Sequence, residues 1–219
     1  MTELEATVHD WEEWLQTWNR KLLARYDPTK YNAFVDPLVT PEIVASGWLG
    51  SPGASEAQIA GLETRLGTTL PPSYRSFLRV SNGFLQPGVI VPRLLPIEEV
   101  AWLRDVDSET IEIWTEGLSG SPESNADVPE RRLSAALRIS ARETVGSAIY
   151  LLDPQSVNAE GEWEAWYFAH WVPGVDRFPS FRALMQSELD KLLAPPPPPP
   201  PGRAKTFVDV VRWIFRPES

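Results

Sequence analysis

The chain has 219 residues, of which 42% are apolar and ten are tryptophan, enough to build one principal domain of about 150 to 180 residues with appendages and too many for a disordered, highly charged chain. Cysteine is absent, which excludes disulfides, thiolate nucleophiles and every cysteine-containing zinc site. Twenty basic against 30 acidic side chains give a formal charge of −10, a balance that disfavours nucleic acid, whose phosphates require basic surface.

The chain opens on MTELEATVHD, acidic and without an apolar run of signal-peptide length, and no stretch of about 18 apolar residues follows, so a cytoplasmic protein that does not cross a membrane is expected. Leu4, Val8, Trp11, Leu15, Trp18 and Leu22 recur at steps of four and three, which predicts an amphipathic helix over residues 1–25 that Trp14 widens. Asp27-Pro28 ends it near Tyr26, and Pro37 and Pro41 bracket an irregular connection to Gly47-Trp48-Leu49-Gly50.

The clearest segment runs from Gly53 to Phe84. Ser55 with Gln58 three residues on reads as a capping box, Ile59, Leu62 and Leu66 follow at helical spacing, and Gly67 is placed to end the helix in the left-handed region. After Leu70-Pro71-Pro72 a second short helix turns Tyr74, Phe77 and Leu78 inward, and Asn82-Gly83, two residues that tolerate positive φ, stop it.

Strand-favouring runs dominate the middle: Val89 to Val91, Leu94 to Ile97, Leu137 to Ser140, Ala148 to Asp153, and the aromatic run Glu162 to His170. A helical turn is expected over Glu98 to Leu103, Ile111 to Trp114 fits either strand or helix, and the Gly, Ser, Pro and Asn of 117–129 read as an exposed loop. Phe181, Leu184, Met185, Leu189 and Leu192 predict a closing helix after Ser180. Helices, then antiparallel strands, then a helix indicate an α+β architecture. Pro195 to Pro201 forms a polyproline II spacer of roughly 20 Å. The apolar tail beyond it, Lys205 to Phe215, is expected to dock either on the same domain or on a partner.

Ile59, Leu62-Glu63, Gly67, Leu70-Pro71, Tyr74, Phe77-Leu78 and Asn82-Gly83 stand in the order and with the gaps of the SUKH superfamily, the Smi/Knr type named after fungal regulators of cell-wall synthesis, and the chain resembles that family closely here. Similarity continues more weakly to about Leu193. The resemblance implies a mostly antiparallel curved sheet packed with helices and a non-catalytic role. Many bacterial members are immunity proteins that block polymorphic toxins, often nucleases, while others are scaffolds of the cell-wall-regulator type. The motif residues read as fold determinants. The division expected is a helical extension over 1–45 packing on the domain, a SUKH-like domain over 46–194, the spacer at 195–201 and the tail at 202–219.

Catalysis has little to draw on. The only histidines are His9, which falls among surface-type neighbours on the first helix, and His170, better read as structural, and no Gly-x-Ser-x-Gly, phosphate-binding glycine loop or His-Glu-x-x-His is present; paired carboxylates are the remaining route for a hydrolase. No cofactor or metal is expected. Function points instead to residues 98–130, which hold ten acids against the single base Arg104 and leave the remainder of the chain nearly neutral. Asp105, Asp107, Glu109, Glu112 and Glu116 would steer a basic protein partner. Trp102 and Trp114 would serve either as its anchors or as core residues. The expected function is neutralisation of a toxin, with a scaffold as the alternative, and the oligomeric state is left open.

Overall fold

The computed structural model describes residues 3–24, 39–85, 91, 93–116, 128–142, 148–169 and 174–194. Its first helix, α1 (Glu3–Leu23), buries Trp11, Trp14, Leu15 and Trp18, the stripe that the four-and-three spacing marks. Two polar contacts fix its register on the rest of the chain. Trp11 Nε1 donates to Ser76 Oγ at 3.1 Å, and Asn19, itself buried, accepts the Leu49 N–H at 2.6 Å while donating to the Leu15 carbonyl. A short helix, α2 (Pro41–Ser46), leads to α3 (Glu56–Leu66) and α4 (Pro72–Val80).

The capping box forms as expected: the Gln58 N–H donates to Ser55 Oγ and the Ser55 N–H to Gln58 Oε1. Gly67 closes α3 at φ 71°, a conformation that costs a residue bearing Cβ about 1 kcal/mol or more. No local side chain caps α4, which begins after Pro71. Glu162, 89 residues away, does so instead, accepting from the Ser73 N–H and Oγ at 2.7 Å each. Trp11, Tyr74, Phe77 and Phe181 meet with ring centroids 5.1–6.3 Å apart, at separations where edge and offset contacts add to area burial.

Two antiparallel strands, β1 (Phe84–Leu85) and β2 (Arg93–Leu94), form a small ribbon. Five more make an antiparallel meander in chain order: β3 (Ala101–Trp102), β4 (Leu137–Arg138), β5 (Ile149–Val157), β6 (Trp163–Phe168) and β7 (Val175–Phe178). The last helix, α7 (Phe181–Leu193), is capped by Ser180, whose Oγ accepts the Ala183 N–H. The architecture is α+β.

The period of two along β5 and β6 divides the sheet between two cores. Tyr150, Leu152, Ala165 and Tyr167 join the main core with α1, α3, α4 and α7, whereas Ile149, Leu151, Trp166 and Phe168 face a second cluster with Leu103, Leu133 and Ala136. That second face is roofed by α5 (Leu103–Val106), α6 (Ser108–Glu116) and a 3-10 helix over Pro129–Ala135. A charge network ties the 3-10 helix to the strands beneath. Arg132 reaches the fully buried Asp153 at 2.9 Å and lies over the Trp166 ring, and Glu164 joins Trp166 Nε1 to Arg177.

Several expectations change. The turn of helix over Glu98 to Leu103 is a turn at 97–99 followed by β3, because Arg65 from α3 holds the carbonyls of Ile97 and Val100 while Ala101 and Trp102 pair with β4. The strand read over Leu94 to Ile97 shortens to Arg93–Leu94. Ile111 to Trp114 lies in α6, and β7 was not marked by the sequence at all. Most of Val89 to Val91, the 117–127 segment, His170 and the whole of 195–219, spacer and tail included, lie outside the described residues. Among the described residues no helix is long and apolar enough to cross a membrane.

Candidate protein-binding face

The acidic segment becomes a helical corner. Asp107 is its joint: its N–H closes α5 on the Leu103 carbonyl at 2.8 Å, and its Oδ1 accepts the Thr110 N–H of the first turn of α6 at 3.2 Å. The other oxygen pairs with Arg142 at 2.7 Å, and the same guanidinium donates to Thr110 Oγ1. Asp107 is therefore committed to holding the corner.

Helix α6 has two unlike faces. Thr110 is buried, and Ile111 and Trp114 pack against the second core, Trp114 edge-on to Phe168 with centroids 5.1 Å apart. The opposite stripe, at positions i, i+3, i+4 and i+7, carries Glu109, Glu112, Ile113 and Glu116, all exposed. Among the described residues none of these three glutamates forms an ion pair. Ile113 is 57% exposed and Val106 on α5 is 43% exposed, so the face combines negative charge with apolar contact area. Beside it a shallow depression of about 340 Å³ is lined by Arg104, Asp105, Val106, Asp107, Ser108 and Glu109. Asp105 is exposed and lies 3.8 Å from Arg104.

The structure thus brings Asp105, Glu109, Glu112 and Glu116 to one surface and turns Asp107 to a structural task. Trp102 packs against the main core beneath the Arg104 guanidinium, 5.1 Å from its ring centre, and both Trp102 and Trp114 keep part of their surface outside. Glu99 pairs with Arg93 at 2.8 Å, away from this stripe's own contacts. Glu123 and Asp127 lie outside the described residues, as does the side chain of Glu130. The exposure of Ile113 could be found only once Ile111 to Trp114 was known to be helical, since a strand would have sent Ile111 and Ile113 to the same side.

The motif of residues 59–83 lies elsewhere and does other work. Ile59, Leu62, Leu70, Pro71, Tyr74, Phe77 and Leu78 are buried. Glu63 accepts the Leu70 N–H at 3.0 Å and pairs with Arg75, which locks the corner between α3 and α4. Gly83 has φ 93°, while Asn82 acts through its side chain, accepting the Ile97 N–H at 2.8 Å. A family model whose description is the SMI1 / KNR4 family (SUKH-1) matches residues 53–187, more than half of the chain. The chain belongs to this family. A comparison with curated proteins finds no match. The SUKH-1 match covers the motif, the sheet, α5 and α6 and most of α7, so the candidate face is carried by the family domain itself rather than by α1 or the proline tail.

Histidine offers no described site, because the His9 side chain and all of His170 lie outside the described residues. Among the described residues, no group of three or more histidine or carboxylate side chains is arranged to hold a metal ion.

Proposed function

We propose that this chain is a non-catalytic protein-binding domain that neutralises a protein toxin by occupying it one to one, with the outward stripe of α6 as the docking face. The observation that carries this reading is the pairing of three glutamates that form no ion pair among the described residues with exposed Ile113 on a helix whose other face is anchored by Trp114. A rigid element presenting an apolar contact inside a ring of like charge suits a basic partner: the charges speed encounter and reject wrong partners, and the desolvated apolar centre slows release. A nuclease toxin fits this description, since it is basic where it grips phosphate. Trp102 and Trp114 are each partly exposed and would extend the contact. The SUKH-1 fold supports a binding role of this kind.

Co-expression with candidate toxins from genes neighbouring its own tests the reading. Protection of growth and a co-purifying complex that weakens as salt rises are expected; toxicity that is unchanged by the chain would remove the proposal. A second reading, a scaffold of the cell-wall-regulator type in a cytoplasmic network, draws on the Pro195 to Pro201 spacer and the apolar residues beyond it. Deleting residues 195–219 separates the two: protection survives in the first and partner capture is lost in the second.

A further inference from the structure

Behind the acidic stripe, where β4 meets the start of α6, lies a group of arginines that the reading above does not use. We propose that Arg138 and Arg142 form a receptor for a single carboxylate group.

Arg138 is on β4, opposite Leu151 of β5 and Ala101 of β3, and its side chain lies on the sheet face away from its neighbours Leu137 and Ile139, which belong to the main core. Arg142 follows one strand-length later and is tied to Asp107 and Thr110. Three enclosed donors, Arg138 Nε, Arg142 Nε and Arg142 Nη2, have no acceptor among the described residues. A buried donor left unpaired loses its hydration without return, so a cluster of three points to a missing oxygen ligand. Charge points the same way. Among the described residues, Arg93 is paired with Glu99 and Arg142 with Asp107, whereas the Arg138 side chain forms neither ion pair nor hydrogen bond. Burial pulls the Arg138 guanidinium below the usual arginine range, as expected of a cation short of compensation.

The count selects the ligand. Among the described residues the pairs Arg93–Glu99 and Arg142–Asp107 leave one positive charge over, which a monoanion neutralises and a dianionic phosphate would exceed. Two guanidinium groups match the two oxygens of a carboxylate. The three donors are enclosed, but each guanidinium belongs to a side chain that is only partly buried, Arg142 keeping 21% at the surface; a carboxylate, free or from an aspartate or glutamate of a bound protein, therefore reaches them by a rotation of these side chains toward the surface. The site stands on its own contacts and does not depend on the docking role given to α6.

The test follows the arginine Nε–H resonances of the full chain during titration at constant ionic strength with sodium formate, N-acetylaspartate amide, phosphate or chloride. Saturable shifts at Arg138 and Arg142 are expected for formate in the millimolar range, with phosphate and chloride at least tenfold weaker. Arg138→Met should weaken formate at least tenfold, and Arg138→Lys, which keeps the charge but not the fork, at least fivefold. Acetylaspartate amide binding as well as formate assigns the site to a protein carboxylate; formate binding alone assigns it to a small molecule. The absence of saturation, or equal binding by Arg138→Met, overturns the proposal. So does formate binding that appears only in Glu143→Gln, since that residue, adjacent to Arg142 and outside the described residues, would then be the acceptor.

Discussion

Replacing Glu109, Glu112 and Glu116 together by glutamine separates a docking face from an ordinary solvated helix. The three glutamates make no ion pair among the described residues, and they lie three, four and seven residues apart on one exposed stripe. Two like-charge neighbours, 109 with 112 and 112 with 116, each disfavour the helix by about 0.2–0.5 kcal/mol. Glu116 sits at the negative end of the helix dipole and Glu109 at the positive end, and these contributions of about 0.3–1 kcal/mol offset one another. The triple variant should therefore be as stable as the parent or more stable by up to about 1 kcal/mol. Urea denaturation followed by tryptophan fluorescence reads this directly, with an unchanged m-value as the control. A loss of more than about 1 kcal/mol would show that the carboxylates have structural partners, and the reasoning that leaves them free for a partner would be wrong.

Three further outcomes test the fold. Tyr74 Oη is fully buried with no hydrogen-bond partner among the described residues, so Tyr74→Phe should be neutral or slightly stabilising in thermal denaturation, whereas a loss above about 1 kcal/mol would mean that the hydroxyl is satisfied. Glu162→Ala removes the side-chain cap on α4 and should cost about 1–2 kcal/mol, checked by the same urea curve; no change would deny the long-range cap its role. Burial pushes the Glu188 carboxyl above its usual 4.5, against the pull of Lys191. The unfolded chain then gives up this proton first, so the contribution is fully present below about pH 4.5 and is lost as pH rises through the folded-state value. Glu188→Gln should flatten stability against pH above 4.5, and identical slopes in parent and variant would contradict the assignment.

What was legible in the sequence was whatever is decided within a turn or two of chain. Ser55 and Gln58, Gly67, and the stripe of Trp11, Leu15 and Trp18 each carry their reason locally. The helix α6 was not legible because Ile-Glu-Ile-Trp alternates like a strand, and it becomes helical where Thr110, Ile111 and Trp114 can dock together on the second face of the sheet. Strand β7 offers only four residues, two of them charged, and is specified by its pairing with β6. Asn82 was readable as a turn residue but not as the acceptor for Ile97, and Glu162 gave no sign that it caps a helix 89 residues earlier. At the candidate face the residue types were legible and their directions were not. Asp107 and Glu109 look alike in the sequence, yet Arg142 claims the first and leaves the second outside.

The most direct test measures affinity between the purified chain and its co-purifying toxin at about 50 and 200 mM salt, for the parent and for the Glu109, Glu112, Glu116 triple glutamine variant. The parent should bind at least tenfold more weakly at the higher salt, and the variant should be weak at both and nearly indifferent to the change. Equal affinity of parent and variant, with the same salt dependence, would place the interface elsewhere and contradict the assignment of α6 as the docking face.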